Sequence, residues 1–585
     1  MKLKLLIFVF IAFLVLSNCA PQPSSSGNGG VNDPGEENQS RPGLYLRKAI
    51  GTLRVDALAS TETYEAYFHI PISFKEQVPV LIEIESPDLI DYRFVHLGSP
   101  NVIAAARLRQ APETDLTWTA WVLTKDSGYT RMDVPDFLPI PSLEELPDET
   151  KKWLQPTGCV QVDAPIVQEI AASLRGTTTN LIELTDDIAS YCFLSIPGGF
   201  SHHPKAFDAV YALRWGNSCT GHAHAGAALL RANGIPARSL LNIMLSPEYY
   251  PLIQDMHWIV DYYVPDYGWV NMETSMGINF CGLTGTVVVM VADPGHECPV
   301  FYPGIEGMWH TSDPVLGVMN PQWGRSHHGH SVNSFDSPPE RIDQAHSLTQ
   351  SVFDHYTNCW GIHLSSSQQA DLDAAYNFQS DALDNILDSD IGSYIANMQE
   401  ALNHYENIDP EPVQTLFFDD FENGVSGWTH GGIQDEWELG TPLFGASNAY
   451  SGDNCWATDL DDTYGNNADC WLLSPSISLD NLACAYLSFR VWNWVQDGVQ
   501  GVVIDPLWLD ITTDGTTFYP LCSHMGGVND DPEIPDSGGW NKLVLDLFKY
   551  IGRTVQIRFR FQSDGENVQP GSFIDDVRVY GRRSI

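Results

Sequence analysis

RWGNSCTGHAHAGAALLRANGIPARSLL, residues 214–241, followed by MHWIVDYYVPDYGWVNMETSMG, residues 256–277, decides how this chain is read. In the first segment an Ala- and Leu-rich run opens just after Ser218, a candidate cap, and stops at Gly234 and Pro236. The spacing therefore predicts a helix beginning at Cys219. The second segment alternates apolar and polar residues on both sides of a PDYG turn and predicts a β-hairpin, with His257 on one arm and Glu273 on the other. Upstream, APIVQEIAASLRG and LIELTDDIASYCF carry helical patterning, and helices before strands predict an α+β domain.

The chemistry follows from placement. A helix start offers unpaired amides and the positive end of the macrodipole, which favour a thiolate and can hold an oxyanion. Antiparallel pairing across the hairpin brings His257 and Glu273 near each other, so a carboxylate can fix the tautomer of an imidazole whose other nitrogen faces the thiol. Taken singly, each residue has a plainer reading: a core or disulfide cysteine, a core histidine, a surface glutamate. Together they closely resemble the core of the transglutaminase-like superfamily over residues 160–280. That resemblance implies Cys219 as nucleophile, His257 as general base and acid, and Glu273 as orienting carboxylate. The family usually carries aspartate at the position of Glu273; Asp261 and Asp266 are the alternative orienters. Trp215 and Trp258 are candidate substrate-binding residues, with core packing as the equal alternative. His222 and His224 are two residues apart on the helix, point to different faces and make a poor metal pair; the HHGH run at 327–330 reads as a polar loop.

Outward from this centre, the 585 residues divide into modules. Lys2 and Lys4 precede an apolar run ending in LSNC, the layout of an export signal over 1–19. The ending resembles a bacterial lipobox, which implies lipidation of Cys19, a lipid-membrane anchor, and an outer-membrane or cell-surface location. Residues 20–41 are a Pro/Ser/Gly-rich linker. Residues 42–155 alternate as the strands of a small β-sandwich, 156–410 hold the transglutaminase-like (papain-like) α+β domain with one or two long helices expected to close it, and 414–585 are β-patterned. The fold class is thus multidomain: an N-terminal β-sandwich, the central α+β domain, and a C-terminal β-sandwich jelly roll.

The C-terminal stretch, with DDFENGVSGW, WLLSPSISL and FIDDVRVYG, resembles MAM-like or carbohydrate-binding modules. This implies a glycan partner and a structural calcium ion with Asp420, Glu422 and Asp575 as candidate ligands; solvated acids are the alternative. Trp428, Trp437 and Trp456 serve either sugar stacking or a core. Cys455 with Cys470 and Cys484 with Cys522 are candidate disulfides. A formal charge of −44, from 74 acidic and 30 basic residues, argues against a nucleic-acid partner. The resemblances imply a cysteine-dependent acyl-transfer enzyme acting on a protein or peptide substrate, needing no cofactor for catalysis. The alternative is a non-catalytic surface lipoprotein that binds glycan or protein through its sandwiches.

Overall fold

The computed structural model describes residues 43–55, 63–109, 114–125, 134–198, 208–216, 218–245, 256–280, 286–291, 306–311, 326–335, 337–362, 364–408, 412–496, 504–525 and 540–584. The expected signal segment with Cys19 and the linker to residue 41 lie outside them. Among the described residues no helix is long and apolar enough to cross a membrane.

Six N-terminal strands, β1 (Leu44–Val55), β2 (Thr63–His69), β3 (Gln77–Glu85), β4 (Leu89–Gly98), β5 (Asn101–Arg109) and β6 (Thr114–Lys125), form two antiparallel sheets. Alternation does the sorting, as in β6, where Leu116, Trp118, Ala120 and Val122 point inward. The sandwich is not closed by these strands alone. Two later segments, β12 (Glu306–Thr311) and β13 (Ser326–Phe335), pair with β2 and β1 and complete the orders β12-β2-β5-β4 and β13-β1-β6-β3. The HHGH run read as a loop therefore lies in an edge strand.

The helical region differs from expectation in the same way. It forms three helices, α5 (Pro339–Cys359), α6 (Ser366–Leu387) and α7 (Ile391–Glu406), and α5 and α6 pack on the sandwich strands β3, β4 and β6 rather than closing the central domain. The reason is the bare edge of β3. Its carbonyls at Ile82 and Val80 accept hydrogen bonds from Tyr356 Oη (3.0 Å) and Gln379 Nε2 (2.5 Å), which satisfies an otherwise exposed strand edge.

The central domain contains α1 (Pro165–Arg175), α2 (Leu181–Ser195), α3 (Ala209–Trp215) and α4 (Cys219–Ala232) against an antiparallel sheet. Its strands are β7 (Ala237–Met244), β8 (Met256–Val264), β9 (Gly268–Glu273), β10 (Ile278–Asn279) and β11 (Thr286–Val291), ordered β10-β9-β8-β7-β11. The Ala/Gly-rich α4 is buried over nearly its whole length and touches α1, α2, α3 and β8. Small residues let those neighbours approach. A Cβ at Gly226 would stand 2.5 Å from Thr274 Cγ2, and Thr274 is fully buried beside Glu273. Gly226→Ala gains about 1 kcal/mol of helix propensity, but the overlap with a stiff β-branched neighbour costs about 1–3 kcal/mol. A net lowering of the thermal midpoint is expected in calorimetry; an unchanged or raised midpoint refutes the close-packing argument.

The N-terminal sandwich braces the back of this sheet. Lys75 reaches Asp261 of β8 at 2.6 Å, and Arg238 of β7 contacts the same carboxylate at 2.8 Å. Asp261 is 0% exposed and also accepts from Asn271 Nδ2 of β9 at 3.2 Å, so its charge is matched on several sides. Gln77 and Asn101 each form paired amide bonds with the outer edge of β11, at Val288 and Val291.

Beyond residue 414, β14 (Gln414–Asp419) to β25 (Gly571–Arg583) make a second two-sheet sandwich around its own core. Trp428, Trp437 and Trp456 are buried in this sandwich, so none of the three presents a sugar-stacking face. Cys455, Cys470 and Cys484 are free thiols, which excludes both expected disulfides; Cys159 is the described residue that is disulfide-bonded. The two sandwiches are docked. Tyr67, Val95 and Ile103 share an apolar cluster with Tyr486 and Val544, and Arg93 bridges Glu65 (2.8 Å) and Asp546.

Candidate active site

Cys219 is the first residue of α4, preceded by Ser218 in extended backbone. The Ser218 side chain makes no capping bond, so the first-turn amides are not occupied by that hydroxyl. The Ser218 carbonyl instead accepts from the His222 backbone N–H (3.2 Å) and lies 2.8 Å from His222 Nδ1. His222 Nε2 lies 3.2 Å from the Ile196 carbonyl, so this histidine ties the end of α2 to the start of α4. His224 is buried and packs against Trp258 with ring centroids 5.5 Å apart. Neither ring is placed as a metal ligand.

The hairpin forms as the sequence predicts, with its turn at Asp266 and Gly268 in left-handed conformation, φ 67° and 75°. Register then creates the site. The β8–β9 ladder runs from Val264↔Gly268 to Val260↔Met272 and stops there, while β7 continues to pair with β8 as far as Met256. Glu273 leaves the ladder to pair with Ile278 of β10. The stretch of β8 at His257 and Trp258 thus has no partner on the β9 side, and Cys219 meets it there. The His257 side chain and the backbone N–H of Trp258 are the groups that act on the Cys219 thiol there.

His257 Nε2 is hydrogen-bonded to Glu273 Oε2. With Nε2 so engaged, Nδ1 is the ring nitrogen left for the thiol. The other carboxylate oxygen, Oε1, accepts from the Ser275 backbone N–H at 2.9 Å and from Ser275 Oγ at 2.6 Å. Ser275 escaped the sequence reading; its signal is a serine two residues after a carboxylate at a strand end, the spacing of a local side-chain-to-backbone turn. Asp261, the rival orienter, is held by Lys75 and Arg238, and Asp266 sits in the turn.

The electrostatics form one coupled system. Burial pushes the Cys219 thiol up, but the bond to His257, the imidazolium charge and the Trp258 N–H outweigh it and bring it below its ordinary value. Burial opposes charge on His257 too, yet the Glu273 carboxylate and the bond to Cys219 hold the imidazole protonated well above its usual range. Glu273, which burial alone would raise, is lowered by His257 and Ser275. The other described thiols differ: burial pushes Cys192, Cys359 and Cys470 up to about 12.

A pH profile follows. As pH falls through the depressed Cys219 value the thiolate protonates and alkylation slows, but this occurs below the ordinary thiol range of about 8.5. As pH rises through the elevated His257 value the imidazolium is lost, while the thiolate persists and alkylation continues. Iodoacetamide labelling followed by peptide mass spectrometry should therefore modify Cys219 at pH 7 with Cys192 and Cys359 unlabelled. Equal labelling of the three would refute the ion pair.

The remaining candidates are dispersed. Trp258 is buried, so it contributes its backbone N–H to the thiol while its ring packs in the core. Trp215 ends α3 and is 54% exposed. In the C-terminal sandwich, Asp420 accepts from Glu422 N (3.3 Å), Glu422 from Asp453 N (2.9 Å) and Asn454 N (2.7 Å), and Asp575 from Tyr450 N (2.9 Å) and Ser451 N (3.0 Å). These carboxylates bind backbone amides, Glu422 and Asp575 gripping the 450–454 loop. Among the described residues no group of three His, Cys, Asp or Glu side chains is arranged to hold a metal ion.

One comparison falls on the central domain. Residues 168–274 match the family model of the transglutaminase-like superfamily. Bacillopeptidase F of Bacillus subtilis (strain 168) is 28% identical over 158 residues, 27% of this chain and 10% of its own length, so the chain spans about a tenth of that curated relative. Among solved structures, a candidate cysteine protease of Cytophaga hutchinsonii aligns at 15% identity and a TM-score of 0.39, covering 51% of this chain and 94% of its own. The K1 cleaved adhesin domain of Lys-gingipain from Porphyromonas gingivalis W83 aligns at 19% identity and a TM-score of 0.22, covering 28% and 97%.

Proposed function

We propose that this protein is a cysteine-dependent acyl-transfer enzyme acting on peptide or carboxamide carbonyls. The observation that carries the reading is the His257–Glu273 hydrogen bond beside the Cys219 thiol at a helix start, whose acidity His257 raises. The Cys219 thiolate adds to the carbonyl carbon, and the first-turn amides of α4 and the Trp258 N–H are the donors near the developing oxyanion. His257 gives its proton to the departing amine as the C–N bond breaks, leaving a thioester. It then takes a proton from water, giving hydrolysis, or from a second amine, giving transamidation, and the thiolate departs. Glu273 keeps the imidazole oriented throughout and stabilises its charged form in the steps where it holds the proton. Peptidase or amidase action is the favoured partition. Attachment to a cell surface through a lipid on Cys19 rests on the sequence of residues 1–19, and glycan binding by the C-terminal sandwich rests on its sequence resemblance.

The test is mass spectrometry of a protein substrate incubated with the enzyme and a primary amine, against enzyme pre-blocked with iodoacetamide. Cleavage, deamidation or amine incorporation that the block removes supports the proposal and names the reaction. Identical products from blocked and unblocked enzyme refute it.

A further inference from the structure

Among the described residues of the central domain, large apolar side chains stand exposed at the ends of the two helices that precede the thiol: Phe193 at 44% and Leu194 at 77% on α2, and Trp215 at 54% on α3. Isolated exposed hydrophobics are ordinary, whereas a cluster at a reactive group marks a surface that meets a ligand. Contacts tie both of these helix ends to the start of α4. His222 on the first turn of α4 donates its backbone N–H to the Ser218 carbonyl and sets its ring Nε2 3.2 Å from the Ile196 carbonyl, linking the end of α2, where Phe193 and Leu194 sit, to the turn that delivers the nucleophile. Gly216, which follows Trp215, has φ 83° and lies so close to the Pro197 carbonyl that a Cβ there would be 2.2 Å from the oxygen. On the other side, Phe193 packs over Gly277, whose Cβ would stand 3.0 Å from that of Phe193, in the turn just after Glu273 and Ser275.

From this arrangement we infer that Phe193, Leu194 and Trp215 form an apolar rim that selects polypeptide substrates with a large aliphatic or aromatic side chain beside the reacting carbonyl. The inference rests on the acyl-transfer reading and adds the substrate class. Rim contact removes apolar surface from water on both partners, a gain that a small or charged neighbouring side chain does not provide.

The test needs no identified substrate. Two reagents with the same leaving group, iodoacetamide and N-phenethyl iodoacetamide, are compared by their rates of alkylating Cys219, each normalised to its rate with glutathione; in both the thiolate displaces iodide. The rim predicts that the phenethyl reagent is favoured about tenfold. Leu194→Ser, at the most exposed position, should cut that preference about threefold, and Phe193→Ser with Leu194→Ser should abolish it, with the iodoacetamide rate unchanged. No preference in the unmodified enzyme, or one that survives both substitutions, overturns the inference. A slow iodoacetamide reaction, like that of an ordinary buried thiol, would instead count against the acyl-transfer reading, because the ratio of the two reagents reports the rim separately.

Discussion

Turnover should fall about 10⁶-fold in Cys219→Ala, to the level that binding and oxyanion donors alone provide. In the proposed mechanism the thiol forms the covalent intermediate, and His257 and Glu273 act through it. Alanine is the best helix former and the thiol is only half-buried, so α4 should keep its start and the thermal midpoint should move little. Purified Cys219→Ala that has lost its product by mass spectrometry while melting with the unmodified enzyme is the expected result. Substantial residual turnover would mean that the chemistry lies elsewhere in the chain.

Glu273→Gln is expected to lower turnover by about 10³ to 10⁴, the scale on which triads lose rate when the orienting carboxylate becomes an amide. Glutamine keeps the length and can still accept from Ser275, but it removes the charge that sustains the imidazolium. Burial then dominates at His257 and lowers it, and without the cation Cys219 is left to a burial that raises it. Alkylation of Cys219 at pH 7 should therefore slow together with turnover, which distinguishes loss of the ion pair from a simple loss of substrate binding. Glu273→Asp separates charge from reach. One methylene shorter, aspartate keeps the charge but has difficulty spanning both Ser275 and His257, and a loss of about tenfold is expected from misplacement by a fraction of an ångström. If glutamine retains more than a tenth of the rate, the carboxylate is not the orienter.

These effects depend on a helix start and a hairpin that were legible in the sequence. Cys219 after Ser218, the stop at Gly234 and Pro236, and the PDYG turn between two alternating arms are local signals, carried by neighbours within one or two turns of chain. The β-patterning of both flanking regions was legible for the same reason. By contrast, the choice of Glu273 over Asp261 as the partner of His257 came from the end of a ladder, where β9 leaves β8 after Met272, and from Lys75, nearly two hundred residues from Asp261, which occupies the rival carboxylate. The completion of the first sandwich by β12 and β13, the seating of α5 and α6 on the edge of β3, and the burial of Trp428, Trp437 and Trp456 were likewise decided in three dimensions. Periodicity states that a side chain is buried and on which face, but an edge strand or a buried ring does not encode locally which distant segment will cover it. The sequence by itself determined the local elements that carry the candidate nucleophile, base and acid; tertiary packing decided which acid completes them, because hydrogen-bond and charge satisfaction inside a core is settled only among groups brought together from remote parts of the chain.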